Sequence, residues 1–330
     1  MNGIATERNG NITPFGTHGK LHVEGAQLMD SHQMPCQLKG ISTHNISLYP
    51  EYVNEACFTE LTDKFGMSML RIAMYSAEAD DVLGYADGDD AHRAELERMI
   101  LESAEITAKL GIYMIIDWHI LLDYDPNMHT DKAILFFKNV CPKLKAYDHI
   151  IYEICNEPNM DTTWAQITEY ANQVIPVIRE IDPDKVIIVG TPVWSQRVDE
   201  ALKAPLAYPN LVYTLHFYAD THKDELRQLM VEAIEGGLPV FVSEFGICDA
   251  SGNGPINDEE TNKWIALMNQ YKVSYALWNL SNKDETSAIL APTCTRNCGF
   301  EEEDFSPWGK RVAGYMVLVR RQYGVFGRNY

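Results

Sequence analysis

Apolar runs of strand length alternate with amphipathic stretches along almost the whole chain. Eight runs read as strands: Gln37–Ser42, Ser68–Tyr75, Tyr113–His119, Ile150–Asn156, Val186–Thr191, Val212–Tyr218, Pro239–Glu244 and Ser274–Leu280. Several are unbroken in Val, Ile, Leu and Tyr, the composition of strands covered on both faces in a parallel sheet. Between them, Asp90–Lys109 carries Leu96, Met99, Ile100, Ala104 and Ile106 at helical spacing, and Gly111 supplies a stop. The pattern repeats over Trp164–Ile181, ahead of Asp182-Pro183, and over Asp224–Glu235, ahead of Gly236-Gly237.

Strands and helices in this alternation favour a (β/α)8 TIM barrel over an open doubly wound sheet. No glycine-rich phosphate fingerprint follows the first strand, which weakens the dinucleotide-binding alternative. Lys20–Pro35 reads as a small N-terminal β-hairpin turning at Met29-Asp30-Ser31-His32 and covering the barrel floor. With no Ser/Gly/Pro-rich linker and no internal repeat, residues 1–330 are expected to form a single catalytic domain, its core running from about residue 20 to 323.

In such a barrel the reactive groups sit at the carboxyl ends of the strands. The run Ile150–Cys155 ends in Asn156-Glu157-Pro158, and proline stops the ladder because it has no N–H to donate. Pro239–Ser243 likewise delivers Glu244 to its exit. Two such glutamates suit the two-carboxylate chemistry of glycoside hydrolysis: one protonated to give a proton to the leaving oxygen, one ionised to attack. The alternative for either Glu is a strand-end salt-bridge partner. The remaining exits carry His44, Arg71 with Tyr75, Asp117-Trp118-His119, Thr191 with Trp194, His216 with Tyr218, and Trp278. Arg71 and Tyr218 would keep Glu244 ionised, and Asn156 could bind a sugar hydroxyl or cap the turn. Trp194 and Trp278 offer flat apolar faces for sugar rings, with core packing as their alternative. The histidines could orient carboxylates, bind hydroxyls or be purely structural.

Charge narrows the substrate. There are 27 basic against 47 acidic residues, a net charge of -20, and no basic run to neutralise phosphates, so no nucleic-acid partner is expected. An uncharged polysaccharide fits better. No stretch of membrane-spanning length and apolarity occurs. Met1–Gly10 lacks the features of a signal peptide, so a secreted protein would be represented here by a mature or trimmed chain. The seven cysteines form an odd set, mostly in apolar surroundings, and read as buried thiols; a local Cys294–Cys298 pair stays open. No His-x-x-x-His or carboxylate cluster at metal spacing stands out, so no metal site is expected.

From about Lys20 to the last helix near Arg320, the chain resembles the family 5 glycoside hydrolases of clan A, particularly the bacterial endo-β-1,4-glucanase (cellulase) branch. The resemblance is carried, in order, by Leu38-Lys39-Gly40-Ile41-Ser42-Thr43-His44, Arg71-Ile72-Ala73-Met74-Tyr75, Ile115-Ile116-Asp117-Trp118-His119, Ile151-Tyr152-Glu153-Ile154-Cys155-Asn156-Glu157-Pro158, Ile188-Val189-Gly190-Thr191, Leu215-His216-Phe217-Tyr218, Ser243-Glu244-Phe245-Gly246 and Leu277-Trp278-Asn279-Leu280-Ser281. It implies a retaining mechanism with Glu157 as acid/base and Glu244 as nucleophile. Arg71 and Tyr218 would support Glu244, and His216 would lie near Glu157. Asn156 and His119 would contact the sugar at the cleavage site, above Trp278. His44, Tyr75, Trp194 and Lys283 would line flanking subsites. It also implies no cofactor and an extracellular β-glucan substrate; a monomeric catalytic domain is expected. Mixed-linkage glucan, xyloglucan, glucomannan and mannan remain alternative substrates; a non-catalytic glycan-binding barrel is disfavoured because both carboxylates are present. Two departures from the family pattern are Leu48, where a stacking tryptophan is common, and Phe245, where Trp is frequent. Cys155 and Cys248 are unlike many secreted relatives.

Overall fold

The computed structural model describes residues 3–77 and 83–316. Eight parallel strands form its centre: β1 (Lys39–Thr43), β2 (Met69–Tyr75), β3 (Tyr113–His119), β4 (Ile150–Glu153), β5 (Ile187–Val189), β6 (Leu211–Thr214), β7 (Val240–Gly246) and β8 (Tyr275–Leu280). Each pairs with its sequence neighbours. The ring closes through Tyr275 opposite Lys39 and passes from β6 to β7 through Tyr213 opposite Val240. A helix follows each strand: α1 (Glu55–Phe65), α2 (Asp90–Leu110), α3 (Thr130–Leu144), α4 (Trp164–Ile181), α5 (Val198–Lys203), α6 (Asp224–Glu235), α7 (Asp258–Tyr271) and α8 (Gly309–Tyr315). This is the (β/α)8 barrel. The part of the expected last helix near Arg320 lies outside the described residues.

Strand period assigns the side chains. Outward positions such as Leu70, Ile72, Met74, Met114, Ile116 and Tyr152 join the helices in one large core. Inward positions change character with height. Leu38, Met69, Tyr113, Ile151, Val212 and Phe241 fill the lower barrel. Two residues further along their strands come Arg71, Glu153, Thr214 and Ser243, all buried and polar. The helix stops follow the expected chemistry: α2 begins on an Asp89 side chain that accepts from His92 N–H and ends at Gly111 in the left-handed region (φ 68°).

Several boundaries shift. The run Ile150–Asn156 leaves the ladder after Glu153, although Ile154 N–H still donates to Ile188 at 3.1 Å. Val212–Tyr218 divides into β6 and a short Phe217–Tyr218 segment paired with Phe245–Gly246, so Leu215 and His216 form a break between them. The hairpin over the floor is present as His22–Glu24 against Gln27–Met29, but it turns at Gly25-Ala26, with Gly25 at φ 57°. The expected turn at Met29-Asp30-Ser31-His32 is a separate second reversal. There the Asp30 carboxylate accepts from His32 and Met34 N–H, returning Pro35 to bridge Met29. Leu21 and Leu28 pack into the lower barrel cluster. Leu28→Ala should therefore cost about 2–5 kcal/mol in urea unfolding; a loss below about 1 kcal/mol would show that the hairpin does not plug the barrel.

Candidate active site

Arg71 occupies the barrel axis above the apolar floor and is completely buried. Its guanidinium meets Glu153 through Nε–Oε2 at 2.8 Å and Nη2–Oε1 at 3.2 Å, and Asp117 at 2.9 Å. It also donates to Asn156 Oδ1 at 2.6 Å, Ser42 Oγ at 3.2 Å and Glu244 Oε2 at 3.2 Å. Burial alone would pull its pKa down, but Asp117, Glu153 and Glu244 together hold it above the ordinary arginine value.

The upper surface of this network is the floor of a cleft of about 650 Å³. His44 and Tyr75, from β1 and β2, line it together with Lys283 beyond β8; Trp194, beyond β5, lines the opposite side of the ring. Glu157, His216, Tyr218, Glu244, His119 and Trp278 lie between. Strand order therefore makes the cleft cross the barrel mouth. Tyr75, His119 and Trp278 form a stacked tray, with centroids 4.1 Å apart for Tyr75–His119 and 5.4 Å for His119–Trp278.

The two glutamates face each other. One oxygen of each, together with a His216 nitrogen, lie within 4.8 Å of one another. Glu157 Oε1 is 2.9 Å from His216 Nδ1, while Glu244 receives the Tyr218 hydroxyl on Oε1 at 2.9 Å. Burial raises the Glu157 pKa to about 8; Arg71 pulls against this, and Asp117 and Glu153 reinforce it. Glu244 is raised to about 7 by burial and by Glu157, against the pull of His216, Arg71 and the Tyr218 hydrogen bond. Two donors, Arg71 and Tyr218, stabilise the Glu244 carboxylate, whereas Glu157 faces only the His216 ring. Burial lowers His216 to about 4, so its ring is neutral near pH 7. This trio is the one metal-capable cluster among the described residues. Its donors are already committed: His216 uses both nitrogens, on Glu157 and Ser243, and Glu244 is held by Arg71 and Tyr218. A dication is a poor fit beside Arg71.

Ten of the twelve residues selected from sequence line the cleft: His44, Tyr75, His119, Glu157, Trp194, His216, Tyr218, Glu244, Trp278 and Lys283. Arg71 and Asn156 lie below it. Asn156 was expected to touch sugar, but its amide donates to the Ile120 carbonyl at 2.9 Å and meets His119 Nε2 at 3.1 Å, while its oxygen is held by Arg71. Both amide hydrogens are therefore committed beneath the floor. Leu48 is exposed and absent from the cleft lining, whereas the neighbouring Tyr49 packs edge-on against His44 at 5.0 Å. Phe245 points away from the cleft into Phe217, Tyr275 and Trp308. All seven cysteines are free, Cys294 and Cys298 included.

Sequence reading missed Glu153 and Ser243 as members of the site, and placed Asp117 at a strand exit without giving it a role. The available signal was their inward parity in apolar strands, where an ionisable group needs a partner. It also missed Gln196, His222, Ser251 and Glu285 on the cleft wall. His222 accepts the Tyr218 backbone N–H on Nδ1 at 2.8 Å, and Glu285 holds Lys283 at 2.7 Å.

The model of the Cellulase family (glycosyl hydrolase family 5) matches residues 29–284. Among known proteins, endoglucanase A of Butyrivibrio fibrisolvens is 43% identical over 290 residues, covering 88% of this chain and 66% of that protein. An endoglucanase of Clostridium saccharobutylicum is 41% identical over 298 residues, covering 90% of this chain and 64% of its own length. The chain thus spans slightly less than two thirds of these curated relatives. Among solved structures, the cellulase Cel5C_n superposes with a TM-score of 0.87 at 40% identity, covering 94% and 95% of the two chains. The catalytic domain of Thermobifida fusca endoglucanase Cel5A in complex with cellotetraose superposes with a TM-score of 0.87 at 32% identity, covering 92% and 99%. Fold, cleft and sequence agree, and the chain belongs to the cellulase family, glycosyl hydrolase family 5.

Proposed function

We propose that this protein is an endo-β-1,4-glucanase that cleaves internal β-1,4-glucosidic bonds with retention of configuration. The carrying observation is the Glu157–Glu244 pair, whose facing oxygens lie within 4.8 Å across an open cleft. Retaining chemistry needs carboxyl groups about 5–5.5 Å apart, whereas direct attack by water needs roughly 6.5–9.5 Å. A cleft crossing the barrel suits a chain that continues on both sides of the cut. The names of the relatives and the cellotetraose held by the Thermobifida domain support a β-glucan. The acidic chain suits a neutral polymer, the family supports action outside the cell, and among the described residues no helix is long and apolar enough to cross a membrane.

In the first half-reaction, Glu244 attacks the anomeric carbon while the glycosidic C–O bond breaks, and Glu157 gives its proton to the departing oxygen. In the second, water attacks that carbon, its proton passes to Glu157, and the Glu244 ester bond breaks to restore the carboxylate. Arg71 and Tyr218 hold Glu244 ionised and aimed. Tyr75, His119 and Trp278 form the tray under the reacting sugar, His44 and Lys283 extend one side, and Trp194 extends the other. Asn156 acts through Arg71 and His119. The reading includes a monomeric catalytic domain.

Carboxymethyl-cellulose and barley β-glucan should lose viscosity faster than they gain reducing ends. Turnover confined to mannan or xyloglucan would refute the β-1,4-glucan assignment. Glu244→Ala should abolish turnover, and azide should then yield a glycosyl azide of inverted configuration; a product of retained configuration would contradict its role as nucleophile. For Glu157→Gln, cellobiosides with poor leaving groups should lose at least about a hundredfold in kcat/KM, those with good leaving groups far less. In this variant the amide stays neutral throughout, as the protonated Glu157 does below its own pKa of about 8. The basic limb of the kcat/KM profile should therefore disappear while the acid limb, set by Glu244, stays in place; a basic limb that persists unmoved would show that Glu157 is not the titrating acid.

A further inference from the structure

Beneath the two glutamates, the Ser243 hydroxyl is a three-way junction. Its Oγ lies 2.7 Å from Glu153 Oε1, 2.8 Å from His216 Nε2 and 2.6 Å from Thr214 Oγ1, and all four side chains are buried. Ser243 has one proton to place. Glu153, held as a carboxylate in the two-bond fork of Arg71, can only accept, so Ser243 must donate to it. Both Ser243 lone pairs then act as acceptors, one from the Thr214 hydroxyl, which must give its proton to this 2.6 Å contact rather than to the Phe241 carbonyl at 3.1 Å, and one from His216 Nε2–H. A neutral His216 carrying hydrogen on Nε2 has a bare Nδ1, and Nδ1 faces Glu157 Oε1 at 2.9 Å. Two acceptors at that distance repel unless the carboxyl carries the proton.

We propose that Ser243 and Glu153 are positioning residues that select the Nε2–H tautomer of His216, and thereby keep the transferable proton on Glu157 until a glycosidic oxygen competes for it. The proposal rests on the reading of Glu157 as the acid/base. It gives that residue a two-sided control. In the resting cleft the bare Nδ1 accepts the carboxyl proton; after the proton has left, the same lone pair opposes the carboxylate and favours its recovery from water. The charged and titratable groups facing this pair are Arg71 from β2, Asp117 and His119 from β3, Glu153 from β4, Tyr218 beyond β6 and Glu244 from β7, with Lys283 and Glu285 farther along the cleft. None of them supplies another acceptor to His216 Nε2.

The direct test is nitrogen NMR of histidine-labelled wild-type protein at neutral pH. His216 should show a protonated Nε2 and an unprotonated Nδ1; the opposite tautomer overturns the proposal without any variant. Ser243→Ala removes the acceptor, so Nδ1–H becomes available to donate to an ionised Glu157. The basic limb of kcat/KM should then fall by about one pH unit. Activity above that limb should drop about tenfold on a cellobioside with a poor leaving group, and less than about twofold on the dinitrophenyl cellobioside, which needs little proton assistance. Equal losses on both substrates with an unmoved basic limb would mark Ser243 as packing only and overturn the proposal. The underlying reading fails separately: Glu157→Gln retaining turnover of the poor-leaving-group substrate would show that the acid lies elsewhere, whatever tautomer His216 adopts.

Discussion

One buried guanidinium surrounded by carboxyls is the constraint on which the site depends. Arg71 contacts Asp117, Glu153 and Glu244 directly, and Glu157 stands opposite Glu244. If all four acids ionised, a single positive charge would face four negative ones in a dry interior, which is far too unfavourable to persist. The shortfall must be met by protonation. Position decides which acid keeps a proton. Glu153 has the two-bond fork, Glu244 has an arginine nitrogen and a tyrosine hydroxyl, and Asp117 has an arginine nitrogen and the His119 ring on one oxygen, while Glu157 has a neutral imidazole. On the proposed reading, the division of labour between acid and nucleophile is thus a consequence of charge scarcity, with the strand exits supplying the geometry.

The barrel makes this arrangement possible by stacking three environments along one axis. Met69, Tyr113, Ile151, Val212 and Phe241 seal the lower end, and the Leu21–Leu28 region closes it from below. A dry floor raises the cost of an unpaired charge above it, which makes the Arg71 contacts strong and exclusive. Gly40 belongs to the same design: a Cβ there would meet the Met69 carbonyl oxygen at 2.0 Å, so the strand beside Arg71 can approach only without a side chain.

How far the sequence can be read follows from which interactions are local. Strand and helix periodicity reveals the barrel because each element must bury a face, and the strand exits reveal the cleft because an apolar run ending in Asn-Glu or Glu is a local pattern. Glu153 sits inside one of the same runs and reads as a strand residue, and Asp117 reads only as part of an exit without a partner. Their meaning depends on register, which sets Asp117 opposite both Ala73 and Glu153 and brings them around an arginine 46 and 82 positions earlier in numbering. Parity along one strand suggests an inward charge; only the neighbouring strands show what it meets. The floor hairpin illustrates the same limit. Gly25-Ala26 and Asp30-Ser31 are both competent turns, and the choice of hairpin is settled by which register presents Leu21 and Leu28 to the barrel.

Trp194 shows the strongest tertiary override. Val193, Trp194 and Ser195 have φ of 58°, 53° and 56°, a left-handed run that a β-branched and an aromatic residue avoid in isolation. Each such residue costs on the order of 1–3 kcal/mol, so the run persists only if its surroundings over-determine it. They do. Trp194 N–H donates to Pro158 at 3.0 Å, the Ser195 hydroxyl donates to the Asn156 carbonyl at 2.6 Å, and Ser195 O accepts from His216 N–H at 2.8 Å. Each of these three anchors belongs to a segment that carries Glu157 or His216. The strained loop therefore sets the cleft-wall tryptophan relative to Glu157 and His216 rather than relative to its own strand, which on the proposed reading would tie the position of a bound sugar to the position of the proton it receives.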